Sequence, residues 1–527
     1  MKKTDILVIG SGIAGLYFAL KLATKFKITI ITKDKPLEGS TRYAQGGIAA
    51  VTSPYDNIEQ HIKDTLVAGA GLCDEQAVRI MVENGYTGIK DLVEMGHQFT
   101  RDKKGNLHLG REGGHSENRV VHTYDYTGKS LADFLWLKVK DSPNIEVLEN
   151  HMAVDLVSNH QLKSMPAKTC YGAFIYSPST GKVEFFQAAK TVLATGGAGQ
   201  LYPFTTNPQV STGDGIAIAY RAGCKVRNME FFQFHPTAFY SKSNPAFLMT
   251  EALRGHGAYL INRLENRFMS EYDDRLELAP RDVVARAIDT ELKKHGDDYV
   301  YLDLRHLAKT ELLQNFPSIA HTLKTNYNLD INQDLIPVVP AAHYCCGGIM
   351  VDLNGKTDLR NCYALGETAS TGVHGGNRLA SNSLLEAIVF ANMAAQDINQ
   401  SDPEKQDIPK ITWDESSTST IRERVIIKHY FESIQKTMWD FVGIARSNAR
   451  LQMALDKIDL VYQEVLTVYK KSILNRELLE LRNLALCAQL IIRSARQRKE
   501  SRGLHYNVDF PENTLPSRED TILRRDG

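Results

Sequence analysis

Between Met229 and Glu386 the sequence sets cationic side chains among glycines: Phe234-His235-Pro236-Thr237, Thr250-Glu251-Ala252-Leu253-Arg254-Gly255, Pro280-Arg281-Asp282, His343 and Arg378. A small dianion with a carboxylate at each end needs two clusters of donors, ideally with one bidentate arginine, and residues of these types supply them. Each has an ordinary reading too. A lone histidine is usually structural, Arg281 could begin a helix and pair with Asp282, and Arg378 could cap the preceding glycine loop. Arg254 and His256 read as structural or supporting residues. A second set points to a nucleotide. Gly10-Ser11-Gly12-Ile13-Ala14-Gly15 has GxGxxG spacing directly after an apolar run. The first glycine permits a tight turn, the second lets backbone approach a pyrophosphate, and the third allows close helix packing.

The elements that must position these residues follow from the hydrophobic pattern. Residues 5–9 read as a buried strand, Ile13 to Lys25 as a helix and Ile28 to Thr32 as a second strand, the start of a parallel βαβ unit. Further buried strands are expected at 145–148, 191–195 and 362–365, and a long helix from Asn382 to Ile398. Glycine-rich turns recur at 40–50, 195–199 and 211–215, the last with Asp214 between glycines. The acidic residue expected about 20 residues after GxGxxG is missing; Thr32-Lys33 stands there. Either Lys33 makes the ribose contact or it is merely exposed. Residues 229–344 read as an insertion, 400–410 as a linker, and the chain beyond Ser416 as almost wholly helical. There Leu478, Leu481, Ala485, Ala488 and Ile492 form a packing stripe.

The 527 residues are 43% hydrophobic and 24% charged, which excludes a disordered or disulfide-stapled chain. Basic and acidic residues both number 62, so global charge argues for no nucleic-acid or membrane partner. The run Arg493, Arg496, Arg498, Lys499 and Arg502 is interrupted by Glu500 and reads as a solvated face rather than an RNA site. Seven cysteines without a CxxC suggest neither disulfides nor zinc, and a reducing cytoplasm fits best. Cys345 and Cys346 read as small buried residues. No metal is expected. The start of the chain is expected to carry no signal peptide, and no apolar run reaches the ~20 residues of a transmembrane helix.

GSGIAG, YAQGGIAA, ATGG, GDG and GETASTGVHGGNRLASNSLLEA together resemble the flavoprotein subunits of succinate dehydrogenase and fumarate reductase, a family with the L-aspartate oxidases as close relatives. The resemblance spans the chain. It implies a discontinuous α/β Rossmann-like FAD-binding domain (1–228 and 345–410, linker included), an inserted α+β capping domain (229–344) and a C-terminal helical bundle domain (411–527). It places FAD contacts on Ser11, Gly12, Ile13, Ala14, Gly15, Lys33, Ser40, Thr41, Arg42, Tyr43, Ala44, Gln45, Gly46, Gly47, Asp214, Glu367, Ser383 and Leu384. Members that attach FAD covalently use a histidine where this chain has Ser40, so noncovalent FAD is expected. By the same match, His235 and Thr250 hold one carboxylate, His343 and Arg378 the other, and Arg281 occupies the proton-transfer position.

The substrate expectation turns on an amine. An ammonium in a cationic site needs an acidic partner, since burying it unpaired is costly. Residues 111–119 (REGGHSENR) offer Glu112 between flexible neighbours, and this stretch resembles the aspartate-oxidising branch. On composition alone Glu112 is a solvated loop carboxylate. The resemblance implies L-aspartate oxidised to iminoaspartate, with oxygen (giving hydrogen peroxide) or fumarate (giving succinate) as acceptor. It further implies passage of the imine toward quinolinate and NAD, with a functional handover to quinolinate synthase. The competing expectation is a soluble fumarate reductase.

Overall fold

The computed structural model describes residues 2–525 except 160–161, 163–167, 242, 244, 401–407, 410, 415–423 and 513–518. The expected linker therefore lies outside the described residues apart from Gln400, Ile408 and Pro409.

Ile6 to Ile9 are buried on both faces, as a central parallel strand requires, and they end the strand Lys2–Ile9. It pairs in parallel with Ile28–Ile31 on one side and Lys182–Leu193 on the other. Ile145–Leu148 extends one edge, and Cys362–Ala364 returns from far along the chain to pair with residues 191–193. The sheet is thus closed by segments on either side of a long insertion. The strand Lys182–Leu193 is longer than the expected 191–195. Its outer half is a polar-apolar mixture that pairs antiparallel with Cys170–Ser177, so it carries no continuous apolar signal.

Two glycines fix the turn after the first strand. Gly10 has φ +117°, and a Cβ there would lie 2.1 Å from the Ala194 carbonyl oxygen. A Cβ on Gly15 would lie 2.3 Å from the Gly10 oxygen, so the helix Ile13–Leu22 can seat on the strand only with glycine at that point.

The inserted segment builds a second, antiparallel sheet from Phe232–Phe239, Ile336–Cys345, Val300–Asp303 and Tyr259–Ile261. The helix Arg281–His295 packs on it through Val284 and Ile288. The register between Phe232–Phe239 and Ile336–Cys345 shifts at Gln233/Phe234 and again at His235/Ala238. Irregularities of this kind turn side chains out of the alternating pattern, and here they flank His235.

Three helices follow, Val425–Val442, Asn448–Lys471 and Arg476–Gln497, the last two capped by Ser447 and Asn475. Leu478, Leu481, Ala485, Ala488 and Ile492 are all buried in their seam. The last of these helices stops at Gln497, short of the almost wholly helical tail expected. Instead Tyr506–Asn507 pairs with Ala445–Arg446, and Ile522–Leu523 with Val226–Arg227. An internal ion cluster holds this non-helical segment in place. Arg498 donates to Glu230 at 2.6 Å and to Glu500 at 2.7 Å, and Arg502 to Glu500 at 2.8 Å, all four nearly inaccessible. The reading of the basic run as a solvated face is corrected for Arg498 and Arg502, which are inside. Among the described residues no helix is long and apolar enough to cross a membrane.

Removing Glu500 leaves two buried guanidiniums short of a counterion. Glu500→Ala is expected to lower stability by about 3 kcal/mol or more, read as a drop in thermal midpoint; an unchanged midpoint contradicts this role of the cluster in the C-terminal tail.

Candidate active site

A cleft of about 580 Å³ runs between the parallel sheet and the inserted sheet. That volume suits a sizeable cofactor with a small substrate. Every site residue named from sequence lines it except Gly15, which packs against the Gly10 carbonyl behind the turn.

At the nucleotide end, Gly12 precedes the helix Ile13–Leu22 without a side-chain cap. Its first N–H groups carry partial positive charge suited to a pyrophosphate. Thr41 joins this loop to the glycine-rich segment, accepting from the Ile13 N–H at 3.2 Å. Gln45 Oε1 is buried with no partner, a group that fits a cofactor donor. Glu367 receives the Cys345 N–H at 3.0 Å and packs over Gly197, where a Cβ would lie 2.3 Å from Oε1. Burial raises its carboxyl to about 7. These features fit the adenosine and pyrophosphate of a dinucleotide. Ser40 faces Ser211 at 3.4 Å and offers no imidazole for covalent attachment.

Lys33 is not exposed, which removes one of its two readings. Its ammonium lies 2.7 Å from Asp214 and 2.9 Å from Glu480. Burial lowers its pKa, but the two carboxylates win and hold it above its ordinary value. Lys33 therefore organises the cleft wall that carries Asp214.

At the other end Arg281, Arg378, His235 and His343 converge. Arg281 begins its helix, as the ordinary reading held, yet its guanidinium turns to Glu251, donating from Nε at 2.6 Å. Burial alone would raise the Glu251 carboxyl; Arg281 and Arg254 hold it below its ordinary range. Arg378 donates from Nη1 to Ser383 Oγ at 3.2 Å, lies 4.5 Å over the Tyr344 ring, and keeps a buried Nε with no partner. Burial, then the neighbouring arginines, push His235 and His343 well below 6.5, so both rings are neutral. His235 Nδ1 accepts the Thr237 N–H at 3.2 Å, which leaves Nε2–H as its donor. His343 Nδ1 meets Thr206 Oγ1 at 2.7 Å. Thr250 immediately precedes the short helix carrying Glu251 and lines the cleft.

Glu112 reaches the same cleft. Its Oε2 accepts from Ser381 Oγ at 2.6 Å, and a Cβ on Gly46 would lie 2.6 Å from Oε1. The adjacent Gly113 packs on Glu251, where a Cβ would come within 2.1 Å of Oε1. The loop thus touches both the cofactor segment and the partner of Arg281.

Residues 5–384 match the model described as FAD binding domain, and 431–526 that of the fumarate reductase flavoprotein C-terminus. L-aspartate oxidase from Pseudomonas aeruginosa is 49% identical over 98% of this chain and 97% of its own, and that of Vibrio cholerae 46% over 97% of each. The chain belongs to the L-aspartate oxidase family. It is an FAD-dependent enzyme. Among solved structures, a variant of Escherichia coli quinol fumarate reductase superposes with TM-score 0.89 at 30% identity, covering 100% of this chain and 95% of that one. The architecture is thus that of the succinate dehydrogenase and fumarate reductase flavoproteins.

Sequence reading missed three contributors. Gln233 Oε1 accepts from Arg378 Nη2 at 2.7 Å and from Arg281 Nη1 at 3.4 Å, setting the two guanidiniums apart. Its position two residues before His235 on one strand was the available signal, blurred by the bulge. Ser381, at φ +59°, holds Glu112 and also accepts from the Gly47 N–H at 3.2 Å. Tyr344 donates to buried Glu386 at 3.0 Å and presents its face to Arg378. Cys345 and Cys346 are buried, and burial pushes both thiols up, Cys346 to about 12, so neither is a nucleophile.

Gln233→Ala is expected to raise KM for a dicarboxylate about tenfold, the loss of one charge-assisted hydrogen bond; unchanged KM contradicts its bridging role. The neutral histidines also set a pH dependence. His61 (about 3), His97 (about 4), His235, His343 and His505 stay unprotonated when folded. The unfolded chain takes protons there below about 6.5, so stability is full above that pH and falls as pH drops. Glu367 opposes this as a single group. Thermal midpoints are expected to fall between pH 7 and about 5; a flat profile contradicts the burial of these rings.

Proposed function

We propose that the enzyme oxidises L-aspartate to iminoaspartate, with the two carboxylates held by the cationic end of the cleft and the amino group beside Glu112. The observation that carries this is the Glu112 carboxylate, held by the Ser381 hydroxyl in the wall of the cleft that Arg281, Arg378, His235 and His343 enter. Among the described residues no cationic side chain is paired to it, unlike Glu251, which Arg281 neutralises. A dicarboxylate without an amine gives that carboxylate nothing but repulsion. Bound FAD supplies the two-electron acceptor, while the chain binds and orients the substrate and takes up its proton. Arg378, with Nε free, and His343 take one carboxylate; His235 Nε2–H and Thr250 take the other. Arg281, donating to Glu251, serves in this direction as a charge clamp that orients the α-carbon, since a guanidinium is a poor base. Glu112 accepts a hydrogen bond from the ammonium and the proton that the nitrogen loses.

Fumarate suits the same clamps, so it serves as an acceptor and yields succinate, with oxygen as the second acceptor, yielding hydrogen peroxide. The imine then passes toward quinolinate and NAD, in a functional handover to quinolinate synthase.

Anaerobic mixing tests the reading. L-Aspartate is expected to bleach the flavin visible band while succinate leaves it. Bleaching by succinate alone would move the assignment to a soluble fumarate reductase.

A further inference from the structure

The loop bearing Glu112 is tied down by a buried ion cluster whose residues lie outside the lining of the cleft. Arg119 is fully inaccessible. It grips Asp56 with two nitrogens, Nε at 2.8 Å and Nη2 at 2.9 Å, and Asp64 with Nη1 at 2.5 Å. Asp64 also accepts from the Ser116 N–H at 2.9 Å and its hydroxyl at 2.7 Å. Between Arg119 and the site stands His115. Its Nε2 lies 2.8 Å from the Ala380 carbonyl, an acceptor only, so Nε2 carries the proton and Nδ1 accepts from Arg119 Nη1 at 3.1 Å. Burial, the largest influence on this ring, keeps it neutral. The His115 N–H returns to the Glu112 carbonyl at 3.2 Å, and Arg111 Nε closes on the His115 carbonyl at 2.9 Å.

A continuous hydrogen-bonded chain thus runs from Asp56 and Asp64 through Arg119 and His115 to the peptide at Ala380. The next residue is Ser381, which holds the Glu112 side chain. Backbone repeats the link: the Ala49 N–H donates to the Ser381 carbonyl, and the Ala50 N–H to that of Arg119, each at 3.0 Å. Glu112 is therefore fixed at its backbone by His115 and at its carboxylate by Ser381, and both depend on one anchor.

We propose that Arg119 and His115 are positioning residues that set selectivity for an amino-dicarboxylate over a plain dicarboxylate, by holding the Glu112 loop against the segment carrying Arg378 and Ser381. This rests on the reading of Glu112 as the ammonium partner. Of the carboxylate clamps, His235, Thr250, Arg281 and His343 lie on other elements, and the Arg378 guanidinium is held separately by Gln233 and the Tyr344 ring, so loosening the anchor weakens recognition of the amine and spares that of the carboxylates.

The test measures KM for L-aspartate and the inhibition constant of succinate on the FAD-loaded full chain. His115→Leu breaks the link, His115→Gln keeps a donor for Ala380, and Asp64→Asn loosens the anchor while Asp56 still pairs Arg119. His115→Leu and Asp64→Asn are expected to raise KM for aspartate about tenfold, with kcat falling less, while the succinate constant holds within about twofold and His115→Gln recovers most of the loss. Parallel weakening of both ligands, or no change in their ratio, overturns the proposal. Should His115→Leu not fold, Asp64→Asn carries the same comparison. A wild-type enzyme that turns over no aspartate overturns the functional reading itself, a separate result from an unchanged ratio in an active enzyme.

Discussion

Two guanidiniums buried in one cleft are the constraint around which the rest is arranged. Arg281 comes from the inserted segment and Arg378 from the loop before the long helix Asn382–Gln400, and burial, then the nearness of Arg281, disfavours the charge on Arg378. Burial makes that repulsion strong. Three features offset it: the Glu251 carboxylate at 2.6 Å, the Gln233 oxygen between the pair, and the Tyr344 ring under Arg378. The remaining deficit of negative charge fits a dicarboxylate. The strand bulges beside His235 and the return of Cys362–Ala364 to the parallel sheet bring these groups together.

Close backbone approach is the second requirement, and glycine meets it at chosen points. Gly10 and Gly15 let strand, turn and helix pack without intervening side chains. Gly46 and Gly113 do the same around the acidic loop, where Glu112 and Glu251 occupy the space a methyl group would need. The acidic loop is thereby part of the cleft wall, anchored from beneath by Arg119.

Local patterns made much of this legible in the sequence. GxGxxG, the strand–helix–strand alternation and the stripe Leu478 to Ile492 are short-range signals, and the structure forms the corresponding elements within a few residues. The cations of the cleft were nameable because their residue types cluster in one stretch and their motifs resemble a known family. What escaped was settled by partners distant in sequence. Lys33 finds Asp214 and Glu480, so its burial has no local trace. Arg498 looks solvated until Glu230 is brought beside it, and Arg502 until the Ala70 carbonyl arrives to accept from its Nη1. Gln233 is a plain polar strand residue until Arg281 and Arg378 arrive from either side. The outer half of Lys182–Leu193 was hidden by its mixed polarity, which only its antiparallel neighbour explains.

In the proposed function one carboxylate, Glu112, makes a general dicarboxylate site selective for an amine-bearing one. Comparing wild type with Glu112→Gln for L-aspartate KM and for succinate inhibition isolates that carboxylate. Aspartate binding is expected to weaken by about tenfold or more while succinate is held as well or better, since a repulsive charge has gone. Equal weakening of both, or no effect on aspartate, would contradict it.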